Sequence, residues 1–245
     1  MRGRSAWLAL AIAAGVSSQA ALGGMPAPPV SVPDTLAQRL QPCMGCHGAQ
    51  GRASREGYLP RIAGKPAAYL YQQLLNFRDG RRSNATMASL LAFQSDAYLR
   101  EIAGHFAALD LPHQPPPALT ANAAQLARGQ QLATQGDADR QLPACTACHG
   151  PALTGSLQAV PGLLGLPRDY LIGQLGAWQT GTRRALAPDC MAHITRRLAP
   201  DDVSAVAAWL AAQPVARSPA ARSPAASAPA DKPTGLRCGS IEATR

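Results

Sequence analysis

Two five-residue stretches carry the chemistry of this 245-residue chain: Cys43-Met44-Gly45-Cys46-His47 and Cys145-Thr146-Ala147-Cys148-His149. Two thiols one helical turn apart reach one edge of a porphyrin, where they can add to its two vinyl groups. The histidine that follows can then aim its imidazole at a central iron. A glycine follows each stretch (Gly48, Gly150), which lets the backbone lie close to a flat group. One copy would equally suit a redox dithiol or half of a zinc site. A zinc ribbon, however, spaces its cysteine pairs roughly 15–20 residues apart, whereas Cys43 and Cys145 are offset by 102 residues. The pattern therefore predicts two covalently attached haem c groups, one on Cys43 and Cys46 and one on Cys145 and Cys148, with His47 and His149 as proximal ligands.

A haem held by one histidine leaves a sixth position, and what fills it separates an electron carrier from a ligand-binding or catalytic haem. A thioether is a soft, neutral donor that favours ferrous iron, raises the potential and discourages reaction with small molecules. Met87 lies 40 residues beyond His47, and Met191 lies 42 beyond His149, at matched places in the two halves. They are the expected distal ligands. Met44 sits inside the first attachment stretch and Met25 in the N-terminal lead-in. His193 is close to Met191 and could bind iron, but Ser89 occupies the matching position in the first half, so His193 reads as a surface or supporting residue. His105 and His113 have no counterparts and read as structural.

The elements that must position these groups occur twice. A helix expected over residues 67–78, closed by Asp79-Gly80, places Tyr69, Leu70, Gln73, Leu74 and Phe77 on one face at 3-and-4 spacing. At an offset of 101 the same run returns as Tyr170, Leu171, Gln174, Leu175 and Trp178, behind the matched turns Pro60–Gly64–Pro66 and Pro161–Gly165–Pro167. Each half then has an arginine cluster (Arg78, Arg81, Arg82; Arg183, Arg184), a loop bearing one methionine, and a closing helix opened by Ser95 or by Pro200-Asp201. Before the first attachment stretch, Asp34 is expected to cap a short helix that Pro42 interrupts. Such a period is too long for a solenoid and predicts a duplicated domain, with Pro115-Pro116-Pro117 as a stiff linker.

Composition bounds the setting. Arg2 and Arg4 precede an apolar run, Ala6 to Val16, too short to span a bilayer, which reads as a secretory signal over residues 1–23. Export suits covalent haem and allows cysteines to pair. The formal charge is +9, almost all arginine. Without basic-aromatic interleaving in an exported chain, that points away from nucleic acid and toward acidic redox partners. From Pro214 onward the chain is rich in Pro, Ala and Ser and cannot build a core. It ends in a segment containing Cys238, which with Cys190 is left over from haem attachment. The two are a disulfide candidate that would pin the Met191 loop, with free thiols, or Cys190 as an alternative ligand, as the other readings.

Together these features resemble class I cytochromes c, and specifically the two-haem cytochrome c4 family of bacterial periplasms. The most specific parts are Pro143-Ala-Cys-Thr-Ala-Cys-His-Gly-Pro151, the Pro-x-x-x-Gly-x-Pro-x-x-Tyr-Leu-x-x-Gln-Leu run in both halves, and the late methionine before an acid-capped helix. The resemblance implies an all-α fold of two tandem cytochrome c domains, residues 24–114 and 115–213, each enclosing one covalent haem, with a tail over 214–245. It implies haems facing each other across a pseudo-twofold interface, and the carbonyls of Pro60 and Pro161 accepting the proximal imidazole N–H. It also implies a periplasmic electron carrier or a dehydrogenase's cytochrome subunit. Arg78, Arg81, Arg82, Arg183 and Arg184 flank the methionine loops and are candidate docking residues, with a solvated face or partners of the haem propionates as the other reading. A dihaem peroxidase or a haem sensor would need a vacant iron, which two matched methionines argue against.

Overall fold

Pro42 ends one helix and starts the next. In the computed structural model, which describes residues 34–53, 57–116, 118, 121–157, 159–215 and 237–243, α1 (Leu36–Arg39) stops before it, and α2 (Gln41–His47) holds it in the first turn. A missing N–H costs nothing there. The cap of α1 is Thr35 rather than Asp34: the Thr35 hydroxyl accepts the Gln38 N–H at 3.3 Å. The chain divides into two units, 1–34 and 35–245, and only the second is described beyond Asp34. The expected signal (1–23), the lead-in and the Pro/Ala/Ser run over 216–236 lie outside the described residues.

The first half continues with α3 (Ala67–Arg78), α4 (Ala85–Leu91) and α5 (Asp96–Ala107). Asn84 caps α4 by accepting Met87 N–H at 2.9 Å, and Ser95 caps α5 by accepting Tyr98 N–H at 3.2 Å. Leu40, Leu99 and Phe106 are completely enclosed and gather α1, α3, α4 and α5 into one cluster.

The second half repeats the plan with α6 (Ala123–Thr134), α7 (Thr146–His149), α8 (Arg168–Thr180), α9 (Cys190–Thr195) and α10 (Pro200–Ala212) around Leu132, Leu171, Val206 and Leu210. A last helix, α11 (Gly239–Glu242), follows Cys238. Helix dominates the described residues and strand is confined to a few of them, so the fold is all-α, as expected. The two methionine segments are the main difference. Each is a short capped helix, α4 or α9, not a loop, because Asn84 and Asp189 supply the N-terminal hydrogen bonds that start one. A second difference is a small antiparallel hairpin, β1 (Gly155–Leu157) with β2 (Val160–Pro161), after the second attachment stretch.

Helices α6 and α10 approach closely at Gly129, where any Cβ would overlap the Ala205 carbonyl. Gly129→Ala must therefore push the helices apart, and we expect it to lower stability by roughly 1–3 kcal/mol in denaturant titration. An unchanged midpoint would contradict this packing.

Candidate haem site

Each attachment histidine is placed by its own backbone. His47 ends α2 and donates Nδ1–H to the Pro60 carbonyl at 2.9 Å; His149 ends α7 and donates to the Pro161 carbonyl at 2.7 Å. Both imidazoles are buried. Burial holds their pKa below the usual value, with the carbonyl bonds opposing and a nearby cation, Arg82 for His47 and Lys65 for His149, adding to the lowering. Both rings are thus neutral at pH 7, and with Nδ1 engaged the lone pair of Nε2 is the one available to a metal.

The glycine after each motif supports this geometry. Gly48 and Gly150 adopt φ of +76° and +84°, and a Cβ on Gly48 would collide with the Ala53 carbonyl. The motif cysteines form no disulfide. Burial pushes the thiols of Cys43, Cys145 and Cys148 up, that of Cys145 to about 11.

Cys43, Cys46, His47 and Met87 of the first half and Cys145, Cys148, His149 and Met191 of the second all line one cavity of about 610 Å³. The structure thus brings together all eight residues expected to hold the two groups, four in each half. The walls between them are mostly apolar, and two buried polar atoms, Trp178 Nε1 and Gln72 Oε1, have no hydrogen-bond partner among the described residues. Trp178 and Gln72 both line this largely apolar slot, which suits a flat, mostly apolar group such as a haem. The residues present fit the group.

The two halves meet through arginine. Arg82 and Arg183 form an isolated antiparallel bridge, flanked by Ser83 N–H to Thr182 O at 2.8 Å and Arg184 N–H to Arg81 O at 2.6 Å. Arg82 donates to Tyr170 and Gln174 of the second half at 3.0 and 2.6 Å; Arg183 donates to Tyr69 and Gln73 of the first at 3.4 and 2.9 Å. Each guanidinium also bonds the glutamine of its own half and lies over its own aromatic ring, Phe77 or Trp178. The arrangement is two-fold, as the duplication predicts.

This corrects part of the docking expectation. Arg82 and Arg183 are 9% and 5% exposed, because their stems and planes are consumed by the interface, and no partner protein can reach them. Arg78 and Arg81 are bridged to Asp79 and Asp96 at 2.7–3.0 Å, which cancels much of their charge. Arg184 is exposed and stays available, together with Arg196. The polar pair Tyr and Gln, recurring on an otherwise apolar helix face in both halves, was the signal for this interface. It reads as core until the arginines are seen to need acceptors.

Cys190 and Cys238 are joined by a disulfide with Cα atoms 5.5 Å apart. Gly239 N–H donates to Pro188 O at 3.1 Å, so α11 lies against the turn that leads into α9, and Ser240 and Ile241 line the same cavity as Met191.

No family model matches the chain. It is 37% identical over 174 residues to a thiosulfate dehydrogenase electron acceptor of Thiomonas intermedia, spanning 71% of this chain and 79% of that one. It is 32% identical over 171 residues to a cytochrome c4 of Pseudomonas aeruginosa, spanning 69% and 82%. Among solved structures, a thiosulfate dehydrogenase of Marichromatium purpuratum superposes with a TM-score of 0.64 at 35% identity, over 70% of this chain; the match spans 36% of that longer chain.

The disulfide closes a loop of 48 residues, which in the chain-entropy model stabilises the fold by about 4 kcal/mol. Reduction should therefore expose two alkylatable thiols and lower the unfolding midpoint. Two thiols that react in the native, unreduced protein would contradict the bond.

Proposed function

This chain belongs to the cytochrome c4 family of dihaem electron-transfer proteins, and on that premise we propose that it accepts electrons from a periplasmic thiosulfate-oxidising dehydrogenase and passes them to a further redox protein. It carries two covalently bound haem c groups and makes or breaks no substrate bond. The observation that supports this donor is that, over matches of 169–179 residues, the chain is 37–38% identical to two named acceptors of thiosulfate dehydrogenase and 28–32% identical to named cytochromes c4.

When bound, each haem supplies a one-electron ferrous–ferric couple. Cys43 and Cys46, and Cys145 and Cys148, hold the porphyrin edges. His47 and His149 present a neutral nitrogen whose direction the Pro60 and Pro161 carbonyls set. Met87 and Met191, which line the same cavity, would supply sulfur to the iron and so exclude water and small ligands. The stiff arginine interface keeps the two groups in one fixed relation, so that little reorganisation accompanies each transfer.

The docking role falls on the second half. Arg184, Arg196, Arg197 and Arg237 border a shallow groove of about 500 Å³ beside α9, next to the disulfide. Arg184 and Arg196 are exposed, and the Arg237 side chain, bridged to Glu242 at 3.3 Å, is 86% exposed. This groove would take an acidic partner. Among the described residues no helix is long and apolar enough to cross a membrane.

Stopped-flow mixing with a thiosulfate dehydrogenase and thiosulfate should reduce both haems; a protein that stays oxidised there yet accepts electrons from ascorbate would refute this donor. The rate should drop severalfold on raising salt from low to about physiological ionic strength, and more steeply in wild type than in Arg184→Gln/Arg196→Gln. A rate indifferent to salt would remove the groove from the mechanism. Met87→Ala and Met191→Ala should each lower the potential of one haem and open that iron to carbon monoxide; two unchanged potentials would contradict thioether ligation.

A further inference from the structure

At Lys65 the two halves differ in a half-buried charge. Gly64-Lys65-Pro66 corresponds to Gly165-Leu166-Pro167, so Lys65 stands where its repeat has an enclosed leucine. Its Nζ donates to the Gly162 carbonyl at 3.0 Å, reaching from the first half into the second. Gly162 directly follows Pro161, whose carbonyl holds His149. Lys65 is therefore a cation of one half placed beside the proximal side of the other half's haem site. No carboxylate pairs with it among the described residues.

We propose that Lys65 is a proton-linked control on the second haem: charged, it holds an electron there; neutral, it lets the electron go. This rests on the dihaem carrier reading above. A positive charge beside a redox centre opposes oxidation, so protonated Lys65 raises the potential of the second haem. By reciprocity, reducing that haem makes Lys65 hold its proton more tightly. Above the pKa, the electron reaches the haem from the donor while a proton reaches Nζ from solvent, and both leave on oxidation.

The surroundings make this charge titratable. Burial brings the Lys65 pKa down to about 8; Arg61 pushes the same way and Tyr170 opposes. The other titratable or charged groups facing it are His113, itself lowered to about 4 by burial, Arg61 and Lys65, and so neutral, and His149. The first haem has a different neighbour. The cation acting on His47 is Arg82, a guanidinium rather than an ammonium. One site thus responds to alkaline pH and its twin does not.

Spectroelectrochemical titration of the full, haem-loaded protein from about pH 6 to about pH 10 tests this, the two steps being assigned by comparison with Met87→Ala and Met191→Ala. The second haem's potential should fall as pH rises through about 8, while the first stays level. Lys65→Met should abolish that fall and shift the distribution of a single electron about tenfold toward the first haem, as expected for loss of one partly buried charge. Lys65→Arg should keep the high potential without the fall. A second-haem profile in Lys65→Met that matches wild type, or equal shifts at both haems, would overturn the proposal. The spectra of the same samples report two sulfur-ligated haems or their absence, which tests the carrier reading separately.

Discussion

Everything in this molecule depends on a backbone carbonyl fixing an imidazole. The attachment stretch can tether a porphyrin without it, but only the Pro60 and Pro161 bonds fix which ring nitrogen faces the iron and at what rotation. Both histidines are buried, so the donor must be satisfied inside the protein, and a turn ending in proline and glycine supplies the acceptor at the right depth. The helix that follows each turn, α3 or α8, then builds the wall of the cavity and carries the residues that meet the other half.

The interface solves a second problem. Two guanidiniums are removed from water with no acidic side chain bonded to either among the described residues, which is costly unless every N–H is used. Here glutamine oxygens, tyrosine hydroxyls and aromatic faces take up the forks symmetrically, so the pair locks the two sites in register. The same cavity is lined by both sites, including the two methionines. The clamp itself is symmetric, and Lys65, at a position where the repeats differ, is one way the two sites become unequal.

Much of this was legible in the sequence. The paired attachment motifs, the repeat offset, the α3 and α8 spans and the disulfide partners all rest on spacing or on elimination, which do not need coordinates. What escaped was set by tertiary contact. Arg82 and Arg183 looked like surface charge because a side chain's burial depends on the facing half, not on its neighbours in the chain. The methionine segments looked like loops because six or seven residues carry too little periodicity, and only Asn84 and Asp189, as caps, betray the helices. Lys65 stood in plain view as a mismatch between repeats, but its reach into the second half is a property of the interface.

With nitrogen from His47 or His149 and sulfur from Met87 or Met191, each iron would be closed to outside ligands, so that electrons pass while small molecules do not bind. Exposure of the reduced native protein to carbon monoxide tests this most directly. The account predicts a spectrum unchanged at both haems at neutral pH over the time of mixing. Stoichiometric binding at either haem would show an open iron and contradict it.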